Sequence, residues 1–182
     1  MITLFHDYTS PTAAVAVRRA ERLAPDRVEF EGFEAIGIDM VLPVTVDVLA
    51  ELDSVAEAAT AEGIVLRRPR QLPPTGWCHV LGAVAAREDR APEWRRTVYA
   101  AFWRDGADIG DREVLARLAD EVGLDTDRVA SALDDRGALA AVRRHTTEFR
   151  RQGIGGVPTI LSQRTLVPGL LPEADLRALA EL

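Results

Sequence analysis

The chain has 182 residues, of which 47% are hydrophobic, so it can bury one sizeable core or a core with a packed subdomain. Its formal net charge is −7, which argues against a nucleic-acid partner, because such a partner requires a basic face. All 22 basic residues are arginines, and they are scattered along the chain instead of clustered.

Membrane attachment and disulfide chemistry are also disfavoured. No apolar run reaches the length of a transmembrane helix, and the N-terminus lacks the basic-then-apolar pattern of a signal peptide. Cys78 is the single cysteine, so no disulfide can form within the chain. The composition therefore predicts a cytoplasmic protein without a membrane partner.

The chain opens with a predicted strand and helix. Residues 2–8 are β-branched, aromatic and aliphatic, which is typical of a buried strand. A helical apolar spacing follows, at Ala13, Ala14, Val17, Ala20 and Leu23. Ser10 is a good N-cap, and Pro11 suits the first helical position. Ser10 would then lie at the positive end of a helix dipole, where a thiolate is stabilised, unless it only caps the helix.

The middle of the chain is mostly helical. Residues 27–35 predict a second strand, and Thr45 can cap a helix over residues 46–62. Helical patterning resumes after Pro73-Pro74-Thr75 and continues to about residue 152. Within it, residues 112–122 and 126–133 form two capped helices, and residues 138–151 form the last one.

The end of the chain returns to strands. Residues 157–161 and 165–167 predict a hairpin, and residues 172–182 predict a closing helix. This order predicts an α/β protein, a thioredoxin fold with an inserted all-helical subdomain. The thioredoxin-like domain comprises residues 1–45 and 153–182, and the helical insertion comprises residues 46–152.

Three segments of the sequence resemble the DsbA-like thioredoxin superfamily. They are DYTSP at residues 7–11, GGVPTI at residues 155–160, and the stretch from Tyr99 to Asp125, which is similar to the FrnE-like cytoplasmic branch. The resemblance implies that Pro158 is in cis and faces the start of the first helix. It also implies that Val157 turns its backbone groups outward, where they can pair with an extended ligand.

The sequence departs from that superfamily at its redox motif. DsbA-like oxidoreductases have Cys-Pro-x-Cys where this chain has Ser10-Pro11-Thr12-Ala13. Thiol–disulfide exchange needs an attacking thiolate and a resolving thiol, so dithiol oxidoreductase activity is excluded.

The serine has a counterpart in another branch. Kappa-class glutathione transferases and 2-hydroxychromene-2-carboxylate isomerases have Asp-x-x-Ser-Pro here, and Asp7, Ser10 and Pro11 match it. That resemblance implies that Ser10 donates a hydrogen bond to the sulfur of glutathione and lowers its pKa. The segment Gly169-Leu170-Leu171-Pro172 lacks the polar residue that holds glutathione in this branch. Another low-molecular-weight thiol, or a ligand without a thiol, therefore stays open.

Other side chains are weaker candidates. His79 could line the cleft between insertion and sheet, or fill a capping or core role. Trp103 and Trp77 could flank an apolar ligand, although aromatic residues at helical spacing are usually core. Cys78 is expected to be buried and inert, since adjacent helical residues point about 100° apart and Cys78 cannot easily share a proton with His79.

The remaining polar residues suggest packing or solvation. His6 is expected to be a hydrogen-bonded core residue, and His145 to be solvated. Three histidines without helical i, i+4 spacing give no metal site. The arginines of the turn at residues 67–70 could bind an anion, or could simply be solvated.

Two hypotheses of function follow. The first is an isomerase or transferase that acts on an apolar or aromatic small-molecule electrophile. Ser10 would activate a thiol cofactor or a substrate oxygen, and Asp7, Pro11, His79, Trp103, Val157 and Pro158 would bind substrate or cofactor. The second is a non-catalytic binding module for a peptide or small ligand. Apolar residues of the insertion could pack within the monomer or form a homodimer.

Overall fold

A computed structural model describes residues 1–181, and the predicted end of the last helix at Leu182 lies outside the described residues. The first half of the chain supplies two strands and four helices: β1 (Ile2–His6), α1 (Pro11–Leu23), β2 (Val28–Gly32), α2 (Val46–Ala61), α3 (Gly76–Arg87) and α4 (Ala91–Trp103). The second half supplies four helices and two strands: α5 (Arg112–Val122), α6 (Thr126–Asp134), α7 (Arg136–Arg151), β3 (Thr159–Ser162), β4 (Thr165–Pro168) and α8 (Glu173–Glu181).

The four strands form one mixed sheet in the order β2-β1-β3-β4. β1 pairs in parallel with β2 and antiparallel with β3, and β3 pairs antiparallel with β4. The parallel pair is joined through α1, as a parallel connection requires a crossover. The predicted thioredoxin fold with inserted helices is therefore confirmed.

The main core continues from the sheet into the helices. Its buried members include Leu4 of β1, Ala20 of α1, Leu81 of α3, Trp94 of α4 and Leu115 of α5. Because one apolar cluster links the strands to α3, α4 and α5, the two parts of the chain share much of their hydrophobic stabilisation. The division into residues 1–45 with 153–182 and residues 46–152 stays a prediction.

Several predicted ends differ from the observed ones. β1 ends at His6 instead of residue 8, because the Asp7 carboxylate accepts a hydrogen bond from the Tyr8 amide and turns the chain. β2 is shorter than residues 27–35, since Ala35 N also donates to Asp7. α7 begins at Arg136 instead of residue 138, because Asp135 caps it through the amides of the first turn.

Candidate functional site

Ser10 ends the β1–α1 connection as the N-cap of α1. Its backbone is extended, and its hydroxyl accepts a hydrogen bond from Ala13 N at 3.1 Å. Pro11 is the first residue of the helix, where a missing amide proton costs nothing. The predicted capping geometry is confirmed.

Glu51 of α2 reaches this same helix end. The Ser10 hydroxyl donates to Glu51 Oε1 at 2.9 Å, and Thr12 N donates to the same oxygen at 3.2 Å. A carboxylate thus accepts two hydrogen bonds at the positive end of the α1 dipole. The start of α1 therefore binds an anionic group, and in this structure that group is the Glu51 carboxylate.

Glu51 is the site residue that the sequence analysis did not find. It lies 41 positions after Ser10, on a helix whose apolar spacing says nothing about what it packs against. Its identity depends on how α2 lies against α1, where Val15 packs with Val55 and Ala59. No local sequence motif predicts this packing of α2 on α1.

The second predicted feature of the site is the segment before β3. The Val157–Pro158 peptide is cis, as the family resemblance implied. Pro158 is buried, and its carbonyl accepts a hydrogen bond from Gly169 N at 2.8 Å. Val157 is half-buried, and neither its amide nor its carbonyl has a protein partner within residues 1–181. Its backbone groups are consequently free to pair with a ligand.

Asp7 lies inside the molecule, behind Ser10. Its carboxylate is fully buried and accepts hydrogen bonds from Tyr8 N at 2.7 Å and Ala35 N at 2.8 Å. His79 Nε2 donates to it at 3.3 Å, so the structure does bring Asp7 and His79 together. These contacts fix the backbone that leads into Ser10, and they give both carboxylate oxygens of Asp7 at least one hydrogen bond.

Trp103 has a similar supporting position. Its indole is almost fully buried and donates to Tyr8 O at 2.9 Å. Trp103 also lines a groove of about 320 Å³ between α1 and α4, together with Ala14, Val17 and Leu66. The groove follows α1 from Ala14 to Glu21 and is also lined by charged side chains, whereas Ser10 and Glu51 are not among its lining residues.

His6 and Cys78 are core residues, as predicted. The Tyr99 hydroxyl donates to Asp7 O at 3.1 Å, so His6 Nδ1, 3.0 Å from that hydroxyl, donates to it in turn. Burial, with His79 and Arg95 nearby, holds the pKa of His6 well below its ordinary value. Burial, together with the nearby Asp7, raises the pKa of the Cys78 thiol well above its ordinary value, so it is not a nucleophile.

Of the remaining candidates, Trp77 is a buried core residue, and the others lie at the surface. His145 and the arginines of residues 67–70 are exposed, in agreement with a solvated face. Within residues 1–181, no three His, Cys, Asp or Glu side chains come together in a way that could hold a metal ion. The same part of the chain contains no helix long and apolar enough to cross a membrane.

Fold and site together define the class of protein: a thioredoxin fold with a helical insertion whose first helix begins at a serine instead of a cysteine. The chain belongs to the DSBA-like thioredoxin domain family, which matches residues 1–180. The predicted membership is confirmed over nearly the whole chain. The cysteine pair of its oxidoreductases is absent, because the sequence contains one cysteine.

Similar proteins of known structure share this fold. A probable DsbA oxidoreductase from Streptomyces coelicolor is 25% identical with a TM-score of 0.84, over 99% of this chain and 88% of that chain. A 2-hydroxychromene-2-carboxylate isomerase is 20% identical with a TM-score of 0.77, over 99% and 92%. The cytosolic disulfide reductase DsbM from Pseudomonas aeruginosa, solved with GSH, is 20% identical with a TM-score of 0.69, over 99% and 96%. The last two likenesses show the fold alone.

One curated relative is similar in sequence. The uncharacterized protein YwbO of Bacillus subtilis is 34% identical over 83 residues. The match spans 44% of this chain and 41% of that protein, less than half of either.

Proposed function

We propose that this protein is an isomerase or transferase of the DsbA-like family that acts on an apolar or aromatic electrophile without dithiol chemistry. The observation that carries the proposal is the pair of hydrogen bonds that Ser10 Oγ and Thr12 N donate to one carboxylate oxygen. A site that holds a carboxylate in this way has the donors that a thiolate or a substrate oxyanion needs.

The reacting anion would take the place of Glu51. Two anions repel each other at one set of donors, so the Glu51 side chain must withdraw or take up a proton when the ligand binds. Ser10 and Thr12 then donate to the ligand, each charge-assisted hydrogen bond contributing about 1.5–3 kcal/mol. One pKa unit corresponds to about 1.4 kcal/mol, so these donors can bring a thiol pKa from about 8.5 to near neutrality.

In the proposed reaction, the thiolate adds to the substrate and the product is then released. The sulfur electron pair of the thiolate forms a bond to the electrophilic carbon while a π bond of that carbon opens and its electron pair moves onto the substrate. In a transferase the adduct then takes up a proton, or expels a leaving group such as chloride, and departs. In an isomerase the π bond re-forms in the new geometry as the carbon–sulfur bond breaks and returns the thiolate. If no thiol takes part, the Ser10 hydroxyl donates instead to a substrate oxygen that gains negative charge.

Glutathione or another low-molecular-weight thiol is the proposed cofactor. Support comes from the serine motif and from the shared fold with a 2-hydroxychromene-2-carboxylate isomerase and with DsbM, which was solved with GSH. An apolar part of the substrate would pack on Ala14, Val17 and Leu66, the apolar residues of the groove between α1 and α4, whose other lining residues include charged side chains. Such thiols are cytoplasmic reductants, so we place the protein in the cytoplasm.

A thermal-shift titration tests this proposal. The wild type and Ser10→Ala are titrated with glutathione, cysteine and coenzyme A, and turnover is followed with each thiol and chlorodinitrobenzene. A thiol at about 100 times its dissociation constant should stabilise the wild type by about 2.7 kcal/mol. Ser10→Ala should lose this effect and the turnover, because it removes the donor to sulfur.

Asp125→Ala is the control. Asp125 caps α6 through Arg128 N, and α6 packs on α3 and α5, so either substitution removes one N-cap oxygen and costs about 1 kcal/mol of stability, while Asp125→Ala should keep its turnover. Equal turnover in the wild type and Ser10→Ala would overturn the role of Ser10.

The alternative is a non-catalytic module that binds an extended peptide. The unpartnered backbone groups of Val157 favour it, because a peptide could pair with them. In that case peptide affinity survives in Ser10→Ala and is lost when Pro158, which shapes this backbone, is replaced by Ala. Affinity that responds only to Ser10 would exclude the module.

A further inference from the structure

A second concave surface runs along α7, away from Ser10. We call it the α7 groove. It has a volume of about 1080 Å³ and extends along α7 from Arg136 to Arg151, facing the first residues of α3 and α5 and the Asp39 side chain. Its size slightly exceeds the range of about 300–1,000 Å³ that is typical of small-molecule sites.

The charge of the groove is opposite to that of the protein. Five arginines line it, and the carboxylates among its lining residues are those of Asp39 and Glu148. The whole chain has a net charge of −7. A positive groove on a negative protein attracts anions locally while the remaining surface repels them.

Two of these arginines have no acidic partner. Arg143 pairs with Glu34 and Asp39, Arg112 lies 3.9 Å from Asp134, and Arg151 lies 3.6 Å from Glu148. Arg136 and Arg144, both exposed, have no carboxylate within 4.0 Å in the described part of the chain. Their guanidinium groups therefore keep donors free for a ligand.

The arginines of the α7 groove lower the pKa of the Asp39 carboxylate. Arg143 Nη2 donates to Asp39 Oδ1 at 2.6 Å. This hydrogen bond lowers the pKa of Asp39 against a smaller opposing effect of burial, and the charges of Arg112 and Arg136 lower it further. Three arginines thus act on one exposed carboxylate, so the positive potential extends to the open side of the groove.

The floor of the groove is apolar. Trp77, Pro74 and Leu139 contribute to it, and the guanidinium of Arg112 lies 4.5 Å from the centre of a Trp77 ring. An apolar floor between arginines suits an organic skeleton that carries anionic groups, because the skeleton packs while the groups are paired.

We propose that the α7 groove binds a small organic molecule that carries two or more oxyanion groups, either carboxylates or phosphates, with Arg136 and Arg144 as its main ligands. Planar guanidinium groups match both kinds of oxyanion with paired hydrogen bonds. The site is independent of Ser10 and adds a second ligand to the function proposed above.

Calorimetric titration of the full chain with citrate and with pyrophosphate tests the inference. Saturable binding of either anion supports it, and the ratio of the two affinities tells whether carboxylate or phosphate is preferred. Arg136→Gln and Arg144→Gln should each weaken binding about fivefold, because each removes one exposed ion pair with the ligand. Binding should also quench Trp77 fluorescence, a signal that Trp77→Phe removes.

Arg164→Gln is the control, since Arg164 is an exposed arginine in the β3–β4 turn and makes the same change in net charge. It should leave both affinities unchanged. Absence of saturable heat with both anions, or equal weakening by Arg164→Gln and Arg144→Gln, would overturn the α7 groove as a site.

Discussion

At the scale of single residues, the Ser10-Pro11 motif of the site could be recognised in the sequence, whereas its hydrogen-bond partner Glu51 could not. Ser10 and Pro11 are adjacent to each other and to a strand, so capping rules locate them. Pro158 follows from its motif. Glu51 does not, because only the packing of α2 on α1 brings its carboxylate to Ser10. The charge of the α7 groove is partly visible in the sequence, because four of its five arginines (Arg136, Arg143, Arg144 and Arg151) lie on the single helix α7, whereas the approach of Arg112 from α5 depends on packing.

Glu51→Gln tests whether the Glu51 carboxylate competes with a ligand anion for the hydrogen-bond donors Ser10 and Thr12. Glutamine keeps an oxygen that can accept from Ser10 and Thr12, but it removes the negative charge that competes with a ligand. Thiol affinity at neutral pH should rise about tenfold, as measured by the thermal-shift titration, for a gain of about 1.4 kcal/mol. Asp53→Asn, on the exposed face of the same helix, makes the same change in net charge and should leave affinity unaltered. A weaker thiol affinity in Glu51→Gln would contradict the competition.

At the scale of elements, the types and order of helices and strands could be predicted from the sequence. Caps explain the success: Ser10, Thr45, Asp111 and Asp125 each accept a backbone amide at the predicted helix start. The errors at the ends of β1 and β2 come from the hydrogen bonds of Asp7, whereas the late predicted start of α7 comes from a glycine in its first turn. Gly137 lies in the first turn of α7, where its amide donates to Asp135.

The buried carboxylate of Glu62 links the end of α2 to α1. Glu62, at the end of α2, accepts from Arg19 Nε at 2.8 Å and Arg22 Nε at 2.9 Å, and its side chain is fully buried. Arg19 Nη1 also donates to Leu171 O before α8. These bonds join α2 and the segment before α8 to α1.

Glu62→Ala should lower the free energy of unfolding by about 3 kcal/mol, because it leaves the buried Arg19 without its carboxylate. Chemical denaturation measures this loss. Glu173→Ala breaks an exposed pair with Arg22 and should cost less than about 1 kcal/mol. Similar losses in the two variants would show that the burial of Glu62 is unimportant.

At the scale of the whole molecule, the sequence predicted the fold because a small sheet unit and a helical insertion follow one another in a recognisable order. The shared core could not be predicted, since it joins residues far apart in the chain, such as Leu4 and Trp94. Global stability therefore responds to titratable groups buried beside this core, and His6 is one whose proton binding in the unfolded chain changes near neutral pH.

Stability should fall as pH falls below about 6.5. His6 has a lowered pKa in the folded protein, so below 6.5 the unfolded chain binds a proton that the folded chain does not. The decrease in the free energy of unfolding from this group should steepen below pH 6.5 and approach about 1.4 kcal/mol per pH unit near pH 5.5, as long as the pH stays above the folded pKa. Urea denaturation between about pH 5.5 and 7 measures the slope.

Two variants identify the group responsible. His6→Phe should lose this part of the slope even where it lowers stability overall, whereas His145→Gln, at an exposed position, should keep it. A slope that persists in His6→Phe would assign the effect to another residue.

The Ser10–Glu51 bond has a consequence for the energetics of the whole protein, since its two partners belong to different helices. If the proposed ligand displaces Glu51, it also removes a contact between α2 and α1. By thermodynamic reciprocity, a firmer hold on α2 would then weaken ligand binding, and the bound ligand would loosen α2. Because Glu62 anchors the other end of α2, a change there would alter the affinity of the proposed ligand without touching it.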